Sequence, residues 1–541
     1  MTTVRSRTAR VPAVARAPHP AGLVAATVCA AAMTTPSLIP RDWIVQGVVS
    51  GVVGAAGYGV AAGAGALLRR RPGGRPEARD GGGTGWRYVA LVCAVVMVVV
   101  LVLSAGWQRR TAALTGMPGP GTGVWLCAGP AAAVVAAALV LLVRAVRDLV
   151  RRARGRGSPR AVRVAVVVLV VAVGAVGLAP RQASSVLDAP FAGIDDETFA
   201  GDVAPASATR SGSSASLVPL DTLGREGRRF VAGGPSAAEI SEIRPVVAEP
   251  IRAYAGLDSA PGPRERAALA VAELERTGAF DRRVLVVMTT TGTGWVNTSG
   301  IDALEMMYGG DVATVATQYS YLPSWLSFVV DRPRAAEAGR LLLDDVRARI
   351  ARMPRSDRPR LLVGGESLGS LGSESAFASL EDLREQTDGA VYVGPTQANE
   401  LWRGLVDRRD PGSPAVAPVY DGGRDVRFAA DRADLGPGGG RPAVVYLQHP
   451  SDPVVAWTPD LLWHRPDRLA GPRGADVDPA VTWVPVLTFL QVSADLMGSK
   501  SVPHGHGHNY DDLIPAAWAT VAAPEGWTGA DTDRLLAVLP P

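Results

Sequence analysis

The sequence predicts two structural halves, an all-α transmembrane bundle of about five helices followed by an α/β domain with a mostly parallel sheet covered by helices. Long apolar runs are confined to the first 180 residues, and short apolar runs alternate with amphipathic stretches from about residue 228 onward. The charge divides at the same place. Residues 1–180 hold 21 arginines against four acids, a balance of +17, and the remainder holds 34 basic and 47 acidic residues, a balance of −13. We therefore expect the two halves to lie in different surroundings.

Apolar runs of membrane-spanning length occur at four places in the first half. Each is near the ~20 residues that a helix needs to cross the hydrocarbon core of a bilayer. The four runs are Trp43–Leu68, Tyr88–Trp107, Gly123–Val143 and Ala161–Ala179. A fifth, weaker run, Ala21–Ile39, is interrupted by TTPSLIP. Because more spans follow it, we expect a retained helix there rather than a signal peptide.

The arginines predict how these spans are oriented. If the run that begins at Ala21 is taken as the first span, arginines are abundant in the N-terminal tail, after the second span and after the fourth span. They are sparse in the other loops. Because arginine-rich loops stay in the cytoplasm, five spans would place everything after about Ala179 outside the cytoplasmic membrane, and four spans would reverse this. Arginines that flank apolar runs, instead of covering a folded surface, do not indicate nucleic-acid binding.

Composition divides the chain into four predicted segments. These are a basic cytoplasmic tail (1–20), a transmembrane domain (21–180), a linker (181–227) and a catalytic α/β domain (228–541). The linker is predicted from its small and polar residues, as in FAGDVAPASATRSGSSASL.

Five buried strands are predicted in the α/β domain. They lie in RRVLVVMTTT (Val284–Thr289), DVATVATQYS, RPRLLVGGES, GAVYVGP and RPAVVYLQHPSDPVV. Helical patterns separate several of them, as in RERAALAVAELERTGAF and AAEAGRLLLDDVRARIARM. Strands that alternate with helices indicate a parallel sheet covered on both faces. The active site of such a sheet lies beyond the carboxyl ends of its strands.

The third of these strands ends in a candidate nucleophile, Ser367, within Gly365-Glu366-Ser367-Leu368-Gly369. A serine held on a tight turn between a strand and a helix needs glycine two residues to either side, because side chains there would collide with the neighbouring strand and helix. In a chain rich in Gly and Ser the pattern alone is also compatible with an ordinary glycine loop. We expect Glu366 to be a salt-bridging or solvated neighbour rather than a proton-transfer group.

Candidate partners for Ser367 follow in the order that nucleophilic catalysis requires. Asp452 lies just past the strand at Val444, and SVPHGHGHNY then supplies His504, His506 and His508 ahead of a helical pattern. The order Ser, Asp, His is that of the α/β-hydrolases. Because the catalytic histidine usually sits in the loop directly before the last helix, the sequence favours His508, with His506 as the alternative. Alternatively, Asp452 caps a turn before Pro453 and has no catalytic role.

An oxyanion hole and a substrate contact are predicted near the first strand. The backbone N–H of Leu368 should act together with an N–H from TTTGTGWVN, where Gly292 is the preferred donor among Thr291, Gly292 and Thr293. Trp295 in the same loop is a candidate for the substrate pocket, or else a core residue. We expect no cofactor and no metal, although His-x-His-x-His could bind zinc.

Several stretches resemble a bacterial, mainly actinobacterial, family of membrane-anchored α/β-hydrolases with a multi-helix N-terminal transmembrane region. The matching stretches are TPSLIPRDWIVQGVVSGVVGAAGYG in the first half, and TGTGWVN, YSYLPSWLSFVVD, GGESLGS, HPSDPVVAW and GHGHNY in the second. The resemblance implies the α/β-hydrolase fold and hydrolase chemistry, without a settled substrate. The ending GHNY…LIPAAW also resembles extracytoplasmic esterases and mycolyltransferase-like enzymes, and that likeness supports His508.

Three functions remain open at this point. The first is a membrane-anchored serine esterase, lipase or acyltransferase, with its catalytic domain outside the cytoplasm, acting on acyl esters of lipids or the cell envelope. The second is a membrane metallohydrolase built on the histidine cluster. The third is a non-catalytic envelope protein on a hydrolase scaffold. The expected partners are an acyl-ester substrate and the lipid bilayer, and the oligomeric state is not predicted.

Overall fold

The computed structural model describes residues 17–68, 85–155, 191–436 and 440–539. It contains two compact units, which we describe separately. A helical unit takes the chain up to residue 178 together with residues 480–494, and a sheet unit takes residues 179–479 and 495–541.

Long apolar helices make up most of the helical unit. They are α1 Pro20–Ala32, α2 Trp43–Leu68, α3 Gly85–Leu114 and α5 Ala128–Gly155, and the four-residue helix α4 Thr122–Trp125 lies between α3 and α5 in the chain. Within the described residues, three stretches are long and apolar enough to cross a membrane, Trp43–Leu68, Gly85–Leu114 and Thr122–Arg151. They coincide with three of the predicted spans. The predicted span Ala161–Ala179 lies outside the described residues.

Helix α1 is shorter than its predicted span. It covers 13 residues and ends before TTPSLIP. The hydroxyls of Thr34 and Thr35 donate to the last carbonyls of the helix, those of Ala31 (2.8 Å) and Ala32 (2.7 Å). Pro36 then disfavours a helical conformation at the residue before it. The helix therefore stops well short of Ile39.

Close packing and one buried arginine hold the helical unit together. A Cβ on Gly51 of α2 would lie 2.7 Å from the carbonyl oxygen of Ala132 in α5, so only glycine permits this approach. The buried guanidinium of Arg41 donates to Oε1 of Gln46 (3.2 Å) and to the carbonyl of Gln491 (2.8 Å). Residues 480–494 are thus hydrogen-bonded to the N-terminal helices.

Seven parallel strands form the sheet, in the order β1-β3-β2-β4-β5-β7-β6. They are β1 Ile251–Ala255, β2 Val284–Thr289, β3 Val312–Thr317, β4 Arg360–Glu366, β5 Gly389–Val393, β6 Val426–Ala429 and β7 Val444–Leu447. The five predicted strands are the five inner ones. The predicted fold class, helical region followed by a parallel α/β domain, is confirmed.

Helices cover both faces of the sheet. They are α6 Gly224–Ala232, α7 Ala237–Ile243, α8 Pro263–Thr277, α9 Thr298–Met307, α10 Ser324–Val330, α11 Arg332–Ala351, α12 Leu368–Glu374, α13 Leu380–Gln386, α14 Glu400–Asp407, α15 Pro453–Ala456, α17 Ile514–Ala522 and α18 Gly529–Val538. Between α15 and α17 in the chain lies α16 Leu487–Asp495, which belongs to the helical unit up to residue 494. Alternate residues of each strand enter two separate cores, as in β2, where Val286 joins one and Leu285 the other. Helices α8 and α11 coincide with the two helical patterns that the sequence predicts, RERAALAVAELERTGAF and AAEAGRLLLDDVRARIARM.

The stretch 181–227 differs from the linker that its composition predicts. It is described from residue 191, and from about residue 210 it packs into the sheet unit. Val218 and Leu223 are fully buried in the core, and Glu273 of α8 accepts hydrogen bonds from Ser216 (2.6 Å) and the backbone N–H of Leu217 (3.0 Å). Small polar residues here make close backbone contacts instead of a loose connection.

The two strands that the sequence analysis misses are the two edges of the sheet. Both are short, and each carries a buried arginine, Arg252 in β1 and Arg427 in β6. A charge within a short run hides the apolar pattern of a strand. Arg252 is neutralised only by the tertiary fold, where its Nε and Nη2 donate to Glu305 of α9, each at 2.8 Å, and Nη2 also pairs with Asp302.

We expect Arg252→Leu to lower the free energy of unfolding by about 3–5 kcal/mol, because it leaves the fully buried Glu305 without its counter-charge. The control is Arg384→Leu, which removes an exposed ion pair with Asp425 at 3.0 Å; such pairs contribute roughly 0–1 kcal/mol. Thermal unfolding of the full chain followed by circular dichroism measures both. Equal melting temperatures for the two variants would contradict the role of Arg252.

Candidate active site

Ser367 occupies a strained turn between β4 and α12. Its φ is +56° and its ψ is −120°, a conformation that non-glycine residues seldom adopt. The backbone N–H of Ser367 donates to the carbonyl of Val393 at the end of β5 (2.8 Å), which holds the turn against the sheet. The serine is thus held at the carboxyl edge of the sheet, with α12 beginning at the next residue.

The two glycines of the motif make this turn possible. A Cβ on Gly365 would lie 2.3 Å from the carbonyl carbon of Gly369, and a Cβ on Gly369 would lie 2.2 Å from the carbonyl oxygen of Thr289 at the end of β2. Either contact is far inside van der Waals distance. The helix α12 can therefore pack onto the strands only because both positions lack a side chain, as the sequence analysis expects.

Asp452 lies at the N-terminus of α15, and its two carboxylate oxygens have different partners. Oδ1 accepts from the backbone N–H of Val454 (2.7 Å), and Oδ2 lies 2.7 Å from Nδ1 of His508 and accepts from the hydroxyl of Tyr510 (2.7 Å). Burial alone would raise the pKa of Asp452, but His508 and these hydrogen bonds outweigh it and lower the pKa below its ordinary value. The carboxylate is therefore suited to orient the imidazole.

The three clustered histidines have different environments. His508 is buried and contacts Asp452, whereas Nδ1 of His506 lies 3.5 Å from Oδ2 of Asp476 and His504 is exposed. Among the described parts of the chain, no group of three or more His, Cys, Asp or Glu side chains converges as metal ligands. Of the two histidines that the sequence left open, His508 is the one that the structure brings to Asp452.

Gly394 is a site residue that the sequence analysis does not identify. It follows β5 with φ +52°, and a Cβ there would lie 2.2 Å from Cε1 and 2.6 Å from Nδ1 of His508. The imidazole therefore occupies the space that a side chain at position 394 would fill. The sequence signal, Gly-Pro after a buried strand, is too common in turns to reveal this.

Tyr510 is also absent from the sequence analysis, although it lies two residues from His508. It is buried, its hydroxyl donates to Asp452 and accepts from the backbone N–H of His449 (2.9 Å), and its ring stacks on His449 with centroids 4.0 Å apart. Tyr510 and His508 thus both contact Oδ2 of Asp452.

A cavity of about 410 Å³ opens beside Ser367 and His508. Its wall combines apolar side chains with carboxylates, hydroxyls and one ammonium group. The lining residues are Glu226, Thr291, Thr293, Trp295, Phe328, Glu366, Ser367, Val454, Leu496, Ser499, Lys500, His508 and Asp511. Trp295 thus lies on the cavity wall, where the sequence analysis placed a candidate substrate contact.

The backbone N–H groups expected to form the oxyanion hole differ in whether they are already hydrogen-bonded. Leu368 begins α12, and among the hydrogen bonds of the described residues none involves its backbone N–H or that of Gly292. The N–H of Thr291, by contrast, donates to the carbonyl of Trp295 (3.0 Å). Gly292 is tightly packed, since a Cβ there would lie 2.4 Å from Cβ of Ser327. Among the predicted donors, the backbone N–H groups of Leu368, Gly292 and Thr293 thus have no hydrogen-bond partner within the described residues.

Glu366 faces the other edge of the imidazole. Its Oε1 lies 3.7 Å from Nε2 of His508 and 2.5 Å from Nζ of Lys500, and its Oε2 accepts from Nδ2 of Asn297 (3.1 Å). Within the described residues, no hydrogen bond joins Nε2 of His508 to the hydroxyl of Ser367. Such bonds are often long in the absence of substrate. Glu366 is salt-bridged, as the sequence analysis expects.

Comparison with known proteins agrees with the fold. A family model described as "Alpha/beta-hydrolase family" matches residues 251–535, and one described as "Alpha/beta-hydrolase family N-terminus" matches residues 34–235. No curated protein and no solved structure matches the chain significantly.

We expect Gly394→Ala to abolish the contact between His508 and Asp452, because the added methyl group takes the place of the imidazole. The measurement is the rate at which a fluorophosphonate probe labels Ser367 in the full chain. Gly404→Ala in α14 is the matched control, since its nearest contact would be Arg408 at 3.7 Å. If Gly394→Ala is labelled as fast as the control, His508 does not act on Ser367.

Proposed function

Since the chain belongs to the alpha/beta-hydrolase family, we propose that it is a membrane-anchored serine hydrolase, of the esterase, lipase or acyltransferase type. One observation carries the proposal. Nδ1 of His508 lies 2.7 Å from the buried carboxylate of Asp452, and both His508 and the strained Ser367 line the same cavity. An acid, a base and a serine hydroxyl in this relation are the parts that acyl transfer needs.

In the proposed reaction the hydroxyl of Ser367 attacks the carbonyl carbon of an ester, and Nε2 of His508 takes the hydroxyl proton. Asp452 keeps the proton of Nδ1 in place and stabilises the imidazolium. The bond between the acyl carbon and the alcohol oxygen breaks, and His508 returns its proton to the leaving alcohol. Water or a second alcohol then attacks the acyl-serine by the same steps in reverse and regenerates Ser367.

The negative charge that develops on the carbonyl oxygen needs donors near Ser367. We assign this role to the backbone N–H groups of Leu368 and Gly292. Leu368 is the first residue of α12, so its N–H has no partner within the helix.

The wall of the cavity supports an acyl ester as the substrate. Phe328, Val454 and Leu496 offer apolar surface for an acyl chain, and Trp295 adds an aromatic face. Together with the apolar helices of the N-terminal unit, this favours a lipid or cell-envelope component, presented at the bilayer. The chemistry requires no cofactor.

The alternative of a metallohydrolase receives no support from the histidine cluster. His506 and His508 each face a different aspartate and His504 is exposed. Chelator-sensitive activity that survives loss of Ser367 would favour it.

We expect Ser367→Ala to abolish covalent labelling by fluorophosphonate and to lower short-chain esterase activity by roughly three orders of magnitude or more. His508→Ala should match this loss, because members of a triad fail as a unit. His506→Ala is the matched control and should cost clearly less, since its ring faces Asp476; His504→Ala should cost least. Turnover by purified variants, with circular dichroism as a check of folding, is the measurement.

Two results would contradict this assignment. Undiminished labelling of Ser367→Ala would exclude Ser367 as the nucleophile. An inactive His506→Ala beside an active His508→Ala would make His506 the base. Absence of any labelling of the folded wild-type chain would favour a non-catalytic role.

We also propose that the catalytic domain lies on the extracytoplasmic side of the membrane. The support is the alternation of arginine-rich and arginine-poor loops over five spans. We expect a reporter fused after Pro541 to be active only outside the cytoplasm and one fused near Arg156 to be active only inside. Reporter activity of both fusions in the cytoplasm would mean that the segment from Ala21 does not cross the membrane.

A further inference from the structure

The single lysine of this chain lies in the cavity beside the nucleophile. The other basic residues, 54 of the 55 Lys and Arg, are arginines. Nζ of Lys500 lies 2.5 Å from Oε1 of Glu366 and 3.9 Å from the centre of the Trp295 ring, and about half of the side chain is exposed to solvent. Its ammonium group is therefore held between a carboxylate and an aromatic face.

The partner of Lys500 stands directly before the nucleophile in the chain. Glu366 is only 5% exposed, and Asn297 holds its second oxygen. Asn297 is fixed in turn, since it caps α9 by accepting from the backbone N–H of Ser299 (3.1 Å). Asn297 and Lys500 together thus hold the carboxylate of Glu366 at 3.7 Å from Nε2 of His508.

A negative charge at this distance stabilises the protonated form of an imidazole. Nε2 is the atom that must be free of a proton before Ser367 can attack. A carboxylate facing Nε2 without a counter-charge would hold the proton there and keep the base occupied.

We propose that Lys500 is a positioning residue that neutralises Glu366 and so keeps His508 available as a base toward lower pH. The inference rests on the proposed function, because the protonation of His508 affects catalysis only if His508 is the base. Lys500 acts through Glu366 and does not itself exchange a proton with the substrate.

The other charged and titratable groups around His508 do not replace this role. Asp452 and Tyr510 lie on the Nδ1 side of the ring, with His449 and Arg468 behind them. On the cavity side, the lining residues Glu226, Glu366 and Asp511 are acidic. Within the described lining of this cavity, Lys500 is the one lysine or arginine.

The test measures the protonation of His508 directly, without turnover. The chain has only six histidines, so the full-length protein labelled with [13Cε1]histidine gives few resonances, and His508→Ala assigns the one of interest. We expect Lys500→Met to raise the midpoint of the His508 titration by about one pH unit, the lower end of the effect of a neighbouring charge. Lys500→Arg, which keeps the charge, should leave the midpoint close to that of the wild type.

Variants of Glu366 separate the proposed route from direct repulsion between Lys500 and His508. Glu366→Gln should leave the midpoint close to that of the wild type, and adding Lys500→Met to Glu366→Gln should then change it little. If Lys500→Met raises the midpoint as much in the Glu366→Gln background as in the wild type, Lys500 acts by direct repulsion and not through Glu366, and an unchanged midpoint in Lys500→Met alone overturns the proposal altogether. Unshifted resonances of the other histidines serve as the check of folding.

The same variants link the inference to activity. In Lys500→Met, the acid limb of the kcat/KM profile for a short-chain ester should move to higher pH by as much as the midpoint of the His508 titration. A merely structural defect would lower kcat/KM at every pH. Absence of Ser367-dependent activity would refute the proposed function. The titration would still test the pairing of Lys500 and Glu366, because it is followed by NMR and does not depend on turnover.

Discussion

The sheet unit depends on one close approach of backbone to backbone, at the turn that carries Ser367. Helix α12 contacts the end of β4 through Gly365 and Gly369, and it contacts the end of β2 through the carbonyl of Thr289. Any side chain at either glycine would push the helix off the sheet. The same approach holds Ser367 at a positive φ, which sets the serine at the sheet's carboxyl edge and leaves the N–H of Leu368 without a partner inside the helix. The strain of the turn is offset by the packing of the elements on either side.

Around this turn, carboxylates are buried close together, and each has its own means of compensation. Asp452 is held by hydrogen bonds from His508, Tyr510 and the backbone of Val454. Glu366 has Lys500 and Asn297. At the C-terminal end of α12, Glu374 is buried. Burial raises its pKa to about 7, although Tyr446 and Asn399 donate hydrogen bonds to it. Burial of so many acids is tolerated because each accepts hydrogen bonds fixed by the fold.

Much of the architecture could be predicted from the sequence, because it rests on local periodicity. The inner strands are continuous apolar runs, and the three long helices of the first half are apolar over lengths that could cross a membrane. The edge strands could not be predicted, since only the fold supplies the partners that compensate their buried guanidinium groups, Glu305 for Arg252 and the carbonyls of Leu435 and Gly436 for Arg427. Composition likewise does not show how residues before 227 pack. Small polar residues are typical of linkers, but Val218 and Leu223 among them are buried in the core.

The sequence by itself determined the parallel α/β class, the apolar helices of the first half, and the residue types and order of the candidate site. These depend on short-range patterns and on the known order of Ser, Asp and His along such chains. Only the tertiary structure decided which histidine meets Asp452, because Gly505 and Gly507 allow the loop many paths and 56 residues separate acid from base. It also brought Gly394, Tyr510 and Lys500 to the site. Their roles follow from contacts made across the fold, and such contacts leave no local pattern in a sequence.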